Sequence, residues 1–113
     1  MLTIYHNGEC SKCRGALEIL QEENIPHNVR WYMADPLSKE ELKELLNKLR
    51  LKAFDLIRQN EELYLEKYAG KELNEDEWIN VLIENPSLMQ RPIIVKGDIA
   101  IIARPPEILF EIL

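Results

Sequence analysis

The sequence predicts an α/β protein in which a mixed four-stranded sheet carries an inserted helical lobe. An apolar run at the N-terminus, Leu2–Tyr5, is followed by residues with helical spacing. The middle of the chain, about residues 35–85, has leucines at helical spacing behind two capping signals. Near the C-terminus two β-branched runs flank a glycine, which indicates a hairpin.

The N-terminal third predicts a strand, a helix and a second strand. Leu2–Tyr5 forms the first strand, the helix covers Ser11–Glu23, and Asn24 supplies a C-terminal stop. His27–Tyr32 favours extended structure because it is rich in β-branched and aromatic residues. A crossover of this length favours a right-handed unit with parallel strands.

The middle region, Asp35–Asn85, is predicted to be mostly helical. Ser38 with Glu41, and Asn74 with Glu77, have the spacing of capping boxes. A short helical piece is also expected around residues 54–57. The leucines at helical spacing behind the first box are Leu42, Leu45, Leu46 and Leu49.

The C-terminal region predicts a hairpin and a final helix. Strands Ile93–Lys96 and Ile99–Ile102 flank Gly97-Asp98, and Glu107–Leu113 is a helix opened by proline. The element order matches a thioredoxin-like sheet with an inserted helical lobe, and we assign residues 1–113 to one domain. Pro92 marks the start of a strand, and the base rate for X–Pro bonds predicts a trans peptide there.

The two cysteines, Cys10 and Cys13, lie where the first strand turns into the first helix. Unpaired N–H groups at a helix start favour negative charge, and such a position lowers a thiol pKa from ~8.5 toward ~3.5–7.5. Lys12 and Arg14 act in the same direction, whereas Glu9 opposes them. Cys10 is therefore the candidate nucleophile, and Cys13, one turn further, is the candidate resolving thiol.

Three other interpretations of the pair stay open. A zinc site would need further ligands, and the two histidines, His6 and His27, have no common zinc-finger spacing. A structural disulfide is typical of exported proteins, and the sequence shows no signal peptide. The cysteines are otherwise an inert, packed pair.

Composition narrows the function classes. The 113 residues carry a net charge of −6, which argues against general nucleic-acid binding because that function needs a basic face. No apolar run approaches ~20 residues, so we expect no membrane span. Without a recognisable export signal, we expect a cytoplasmic protein, where a Cys-x-x-Cys pair favours redox catalysis.

Three segments resemble the glutaredoxin-coupled arsenate reductase family of thioredoxin-like proteins, which is related to the Spx regulators. Residues 4–14 resemble the nucleophile loop, and Leu56–Asn60 resembles the first oxyanion-binding arginine segment. Gln90–Val95, followed by Arg104–Glu107, resembles the closing strand and helix. The matches occur in consistent order along nearly the whole chain.

The resemblance implies a role for each candidate residue. Cys10 would attack an oxyanion held by Arg58, Arg91 and Arg104. His6 and Arg14 would tune the nucleophile, and Pro92 would be a cis-proline, against the base rate. The implied substrate is arsenate, with no resident cofactor or metal, and glutathione with glutaredoxin or thioredoxin would supply electrons.

Two other functions remain open. A Cys-x-x-Cys pair also suits a general glutathione or disulfide oxidoreductase without arsenate activity. The related Spx regulators use the same fold and redox pair to bind RNA polymerase. Arg58 and Arg104 favour the reductase over the regulator, because the resemblance assigns these arginines to the oxyanion site.

Overall fold

The computed structural model describes residues 2–7 and 11–113, with side chains from Arg14 onward in the first helix. Contacts divide the chain into two units. The sheet unit comprises the residues up to Asp35 together with Arg91–Leu113, and the helical unit comprises Pro36–Gln90. The sequence-based assignment of one domain with an insertion at about 35–85 stays a prediction.

The sheet unit contains a four-stranded sheet in the order β2-β1-β3-β4. β1 pairs in parallel with β2 and antiparallel with β3, and β3 pairs antiparallel with β4. The mixed sheet predicted from the sequence is therefore confirmed. In chain order the elements are β1 (Leu2–Tyr5), α1 (Ser11–Glu22), β2 (His27–Arg30), β3 (Ile93–Lys96), β4 (Ile99–Ile102) and a 3₁₀ helix (Pro106–Ile112).

The core of the sheet unit forms where α1 and the C-terminal 3₁₀ helix pack against one face of the sheet. Ile4 and Ile94 from the strands, Leu20 from α1 and Leu109 from the 3₁₀ helix are all fully buried. Gly15 permits the close approach of the two helices, because a Cβ there would lie 3.2 Å from Cγ of Pro106. This packing fixes the direction of α1 relative to the sheet.

The helical unit contains four α-helices and a short 3₁₀ turn. Both predicted capping boxes form: Ser38 and Glu41 begin α2, and Asn74 and Glu77 begin α5. Each box satisfies backbone N–H groups that the first helical turn leaves unpaired. The elements are α2 (Lys39–Leu49), α3 (Ala53–Leu56), α4 (Glu62–Lys67), α5 (Glu75–Glu84) and the 3₁₀ turn (Pro86–Leu88).

Aromatic side chains stabilise the helical unit around Trp78. Its ring centroid lies 5.1 Å from that of Phe54, 6.4 Å from that of Tyr64 and 6.3 Å from that of Tyr68. Trp78 and Tyr64 are buried. Large buried rings remove much apolar surface from water, so this cluster joins α3, α4 and α5 into one body.

Two sequence-based expectations are wrong in detail, and one helix was not predicted individually. β2 ends at Arg30 rather than residue 32, because the Trp31 carbonyl accepts hydrogen bonds from the N–H groups of Ala34 and Asp35 and begins a turn. The last helix is a 3₁₀ helix. Helix α4 was not singled out within the helical region.

The hairpin around Gly97-Asp98 is confirmed, and Gly97 has a φ of 61° in the left-handed region that favours glycine. Asn24, the predicted stop of the first helix, also has a positive φ, of 54°. Within residues 2–7 and 11–113, no helix has the length and apolar character needed to cross a membrane.

Candidate active site

The C-terminal end of β1 defines the sheet edge where several predicted site residues meet. The last paired row of the sheet places Tyr5 beside Ile93 and Ile93 beside Ile102. One residue further, the N–H of Ala103 donates a hydrogen bond of 2.9 Å to the Pro92 carbonyl, which extends the β3–β4 pairing. β1 and β4 therefore end, and β3 begins, at the same edge of the sheet.

Arg91 and Arg104 follow at this same edge. Because Pro92 pairs with Ala103, the next positions outward are Arg91 before β3 and Arg104 after β4. Both cationic residues therefore lie at the same end of the β3–β4 pair. The sequence predicted both as oxyanion ligands, and the strand pairing brings their backbone positions to one place.

The guanidinium of Arg91 carries unused hydrogen-bond donors. Its Nε and Nη1 atoms are buried, and they have no hydrogen-bond partner among the described residues. Buried donors without partners cost about 1–3 kcal/mol each, so proteins rarely keep them without a ligand or a functional reason. An anion with several acceptor oxygens would satisfy these atoms.

Arg104 has different surroundings. Its side chain is exposed, and its backbone N–H donates a 3.0 Å hydrogen bond to the Ile102 carbonyl. The Arg104–Pro105 peptide is cis, which the sequence did not predict. The Arg91–Pro92 peptide is also cis, as the family resemblance implied and in contrast to the base-rate expectation.

His6 follows β1 at the same edge and is 3% exposed. Its backbone N–H donates to the Arg30 carbonyl at 2.9 Å, which continues the pairing with β2. The ring meets Trp31 edge to face, with centroids 4.6 Å apart and planes at 83°. Its Nδ1 atom has no hydrogen-bond partner within the described part of the chain.

The environment of His6 favours the neutral imidazole. Burial lowers the pKa of His6 below its ordinary value of 6.5, and the positive charge of Arg14 lowers it further. Arg14 is exposed on the first turns of α1. The two residues predicted to tune the nucleophile therefore interact electrostatically with each other.

The predicted nucleophile lies outside the described residues. This applies to Cys10 and to Glu9, the acidic residue predicted to oppose its ionisation. Cys13 and Lys12 belong to the first turn of α1, as the sequence predicted, but their side chains lie outside the description. The roles of both cysteines stay predictions.

Arg58 belongs to the helical unit, just after α3. Its backbone N–H donates to the Leu88 carbonyl at 2.7 Å, and its Nη1 donates to the Ser87 carbonyl at 3.2 Å. Its Nη2 forms an ion pair with Glu61. Arg58 is thus held by several groups of its own unit.

The sequence did not predict two contacts, the Arg58–Glu61 ion pair and the packing of Trp31 on His6. Glu61 lies three residues after Arg58, and an i, i+3 pair of opposite charge is a signal that could have revealed the ion pair. Trp31 was assigned to β2, so its contact with His6 was not foreseen. That contact depends on the early end of β2 and has no local sequence signal.

Comparison with known proteins identifies the family. The model of the ArsC family matches residues 5–112, which is nearly the whole chain. The protein belongs to the ArsC family. This confirms the resemblance drawn from the nucleophile loop, the arginine segment and the closing strand.

Relatives and solved structures of this family agree. The chain is 41% identical to the uncharacterized protein YfgD of Escherichia coli, covering 96% of this chain and 93% of that protein. It is 35% identical to an arsenate reductase of Haemophilus influenzae, with 97% of each chain covered. An arsenate reductase structure from Vibrio cholerae matches with a TM-score of 0.93 and 39% identity, covering 99% and 97% of the two chains. The fold of this ArsC family member is thioredoxin-like.

Proposed function

We propose that this ArsC family protein is an arsenate reductase-like thiol oxidoreductase. Cys10 supplies the thiolate, and Arg58, Arg91 and Arg104 bind the oxygens of arsenate. His6, Arg14 and Pro92 shape the surroundings of the nucleophile. Relatives named as arsenate reductases support the reaction class, and the residue roles rest on the matched segments.

The main support for the proposal is the pair of buried hydrogen-bond donors on Arg91. Its buried Nε and Nη1 atoms have no partner among the described residues. The backbone of Arg91 precedes β3 at the sheet edge where β1 ends. An Arg guanidinium presents donors in a planar fork that matches two oxygens of a tetrahedral anion. A site ready for an oxyanion leaves such donors unused until the ligand arrives.

Electrostatics explain why the reaction needs these cations. Arsenate is an anion at neutral pH, so a thiolate that attacks it meets like charge. Guanidinium groups neutralise the arsenate oxygens and also favour the ionised form of a nearby thiol. Removing one donor aimed at a transition state typically costs ~10²–10³ in rate.

The chemistry has two steps. In the first, the Cys10 sulfur forms a bond to arsenic while one arsenate oxygen takes up protons and leaves as water. In the second, a thiol attacks the Cys10 sulfur, a disulfide forms, and the electron pair of the sulfur–arsenic bond passes to arsenic. Arsenic is thereby reduced from the pentavalent to the trivalent state, and arsenite is released.

Two sources of the second thiol fit the sequence. Glutathione would form a mixed disulfide with Cys10, and Cys13 would instead form an internal disulfide one helical turn away. Glutaredoxin or thioredoxin, in a reducing cytoplasm, would then regenerate the thiols. No cofactor bound to this chain takes part in either route.

A second candidate function is favoured by the presence of Cys13. A resolving thiol suits general disulfide exchange or removal of glutathione from mixed disulfides. In that case the arginines would be dispensable for turnover. Reduction of a glutathione mixed disulfide that persists after Arg58→Ala or Arg104→Ala would favour this function.

Arsenite release tests the proposal. We expect the wild-type protein to release arsenite from arsenate with glutathione and glutaredoxin, and the Cys10→Ser variant to release none, because serine lacks the thiolate nucleophile. Cys13→Ser in the same assay separates the two sources of the second thiol. A wild-type protein that forms no arsenite with glutathione, glutaredoxin or thioredoxin would refute the arsenate assignment.

A further inference from the structure

Arg58 and Glu61 lie at the two ends of one turn in the helical unit, and their side chains form an ion pair. The Glu61 N–H donates to the Arg58 carbonyl at 3.1 Å, which makes a turn of residues 58–61. The turn brings the two side chains together, and the Glu61 carboxylate pairs with Nη2 of Arg58. The Ser87 carbonyl accepts from Nη1 on another side of the same guanidinium.

This ion pair is partly shielded from water. The side chain of Arg58 is 22% exposed and that of Glu61 is 35% exposed. Charges in such surroundings interact more strongly than fully solvated ones, because less water lies between and around them. The adjacent Glu62 is exposed and begins α4, so it offers the same charge in a solvated position.

A carboxylate oxygen and an arsenate oxygen compete for the guanidinium of Arg58. Both are anionic acceptors that bind the guanidinium through charge-assisted hydrogen bonds. If an oxyanion binds Arg58 while Glu61 remains paired, the two negative charges repel. If Glu61 leaves, its ion pair is lost. Either outcome subtracts from the affinity for the ligand.

We propose that Glu61 is an internal competitor for Arg58 that lowers the affinity of the site for oxyanions. This inference rests on the proposed function, because it requires Arg58 to bind the substrate anion. Glu61 thereby determines specificity by charge, because weakly bound anions fail to displace it from Arg58. Glu61 is not a catalytic residue in this scheme.

The proposal predicts a gain of binding when the charge is removed. Glu61→Gln keeps the length of the side chain and an acceptor oxygen but removes the negative charge. We expect sulfate, an unreactive tetrahedral dianion, to bind about two- to fivefold more tightly, in keeping with the strength of partly exposed ion pairs. The KM for arsenate should fall by a similar factor.

Glu62→Gln is the matched control, since it removes the same charge one residue away at an exposed position. The dissociation constant of sulfate is measured on the reduced full-length protein by NMR, following the arginine Nε–H resonances. The double variant Arg58→Ala/Glu61→Gln is compared with Arg58→Ala alone. Sulfate should bind these two proteins equally, because the cation that pairs with Glu61 is gone.

The sulfate affinities of these variants test the role of Glu61 separately from the proposed function. Weaker or unchanged sulfate binding in Glu61→Gln, or an equal gain in Glu62→Gln, would overturn the role of Glu61. If sulfate binds neither the wild-type protein nor Glu61→Gln, this inference fails. The proposed function is judged separately by arsenite release, and absence of that activity together with tighter sulfate binding in Glu61→Gln would refute the proposed function alone.

Discussion

Arg91 in the sheet unit and Arg58 in the helical unit carry the same guanidinium group in different surroundings. Arg91 buries two donor atoms that have no partner in the described structure. Arg58 donates to the Ser87 carbonyl and pairs with Glu61. The family resemblance assigns both residues to one oxyanion, yet their local structures prepare them differently.

The two arginines differ in what an anion must displace when it binds. Nε and Nη1 of Arg91 are already shielded from water and have no hydrogen-bond partner among the described residues, so a ligand there gains hydrogen bonds without displacing a described protein group. Arg58 is held in place by its neighbours, so a ligand there must share or replace an existing ion pair. Under the proposed function, we therefore expect an anion to gain more binding free energy from Arg91 than from Arg58.

Replacement of Arg91 should give the largest effect. Arg91→Met keeps an unbranched apolar stem but removes the donors. We expect kcat/KM for arsenate to fall ~10²–10³-fold, because a donor aimed at the transition state is lost. In anion-free buffer the free energy of unfolding should rise by about 1–3 kcal/mol, because buried unpaired donors are removed.

Lys96→Met provides the control for Arg91→Met. Lys96 is an exposed cation at the opposite end of β3, so its loss removes a charge without touching the site edge. Turnover should stay near the wild-type value. Destabilisation of the protein by Arg91→Met in urea unfolding would show that Arg91 has structural partners and would remove the contrast with Arg58.

A smaller effect is expected in the helical unit, where polar side chains are already satisfied. Asn74 accepts a 2.9 Å hydrogen bond from the Glu77 N–H at the start of α5. Asn74→Ala should lower the free energy of unfolding by about 1 kcal/mol, the usual effect of losing an N-cap. Urea unfolding measures this change.

Asn80→Ala is the matched control, because Asn80 is an exposed residue inside the same helix. Alanine is the better helix former, so this variant should be unchanged or slightly more stable. Equal losses in both variants would indicate that the capping box contributes nothing.

The smallest expected effect is the change with pH in the free energy of unfolding that His6 causes. The pKa of folded His6 is lowered by burial and by Arg14, so the unfolded chain binds more protons than the folded chain at pH values between the two pKa values. The contribution of His6 to stability is complete above pH 6.5 and is lost as the pH falls from there through the folded pKa.

Urea unfolding between pH 5 and pH 8 checks this contribution. The wild-type protein should lose more stability on acidification than His6→Gln, which has no titrating ring. Parallel pH profiles for the two proteins would show that His6 has the same pKa in the folded and unfolded chains.

Features with a local cause were predictable from the sequence. The capping boxes at Ser38 and Asn74 and the hairpin around Gly97 form as predicted, because the residues involved interact within a few positions. The positions of Arg91 and Arg104 at one sheet edge follow from the same hairpin. The shared location of these two arginines was thus predictable from turn chemistry.

Features set by tertiary packing were not predictable from propensity. Trp31 favours extended structure, yet its carbonyl closes a turn and its ring meets His6. The C-terminal segment has a helical start signal but forms a 3₁₀ helix against α1. Nε and Nη1 of Arg91 are buried without a partner in the described part of the chain, and no local sequence pattern indicates such burial.

A crystal structure of the reduced protein soaked with arsenate or sulfate would show whether Arg91 binds the oxyanion. We expect a tetrahedral anion whose oxygens accept hydrogen bonds from Nε and Nη1 of Arg91. An anion bound elsewhere, or a protein carboxylate paired with those two atoms in the presence of the ligand, would contradict this expectation.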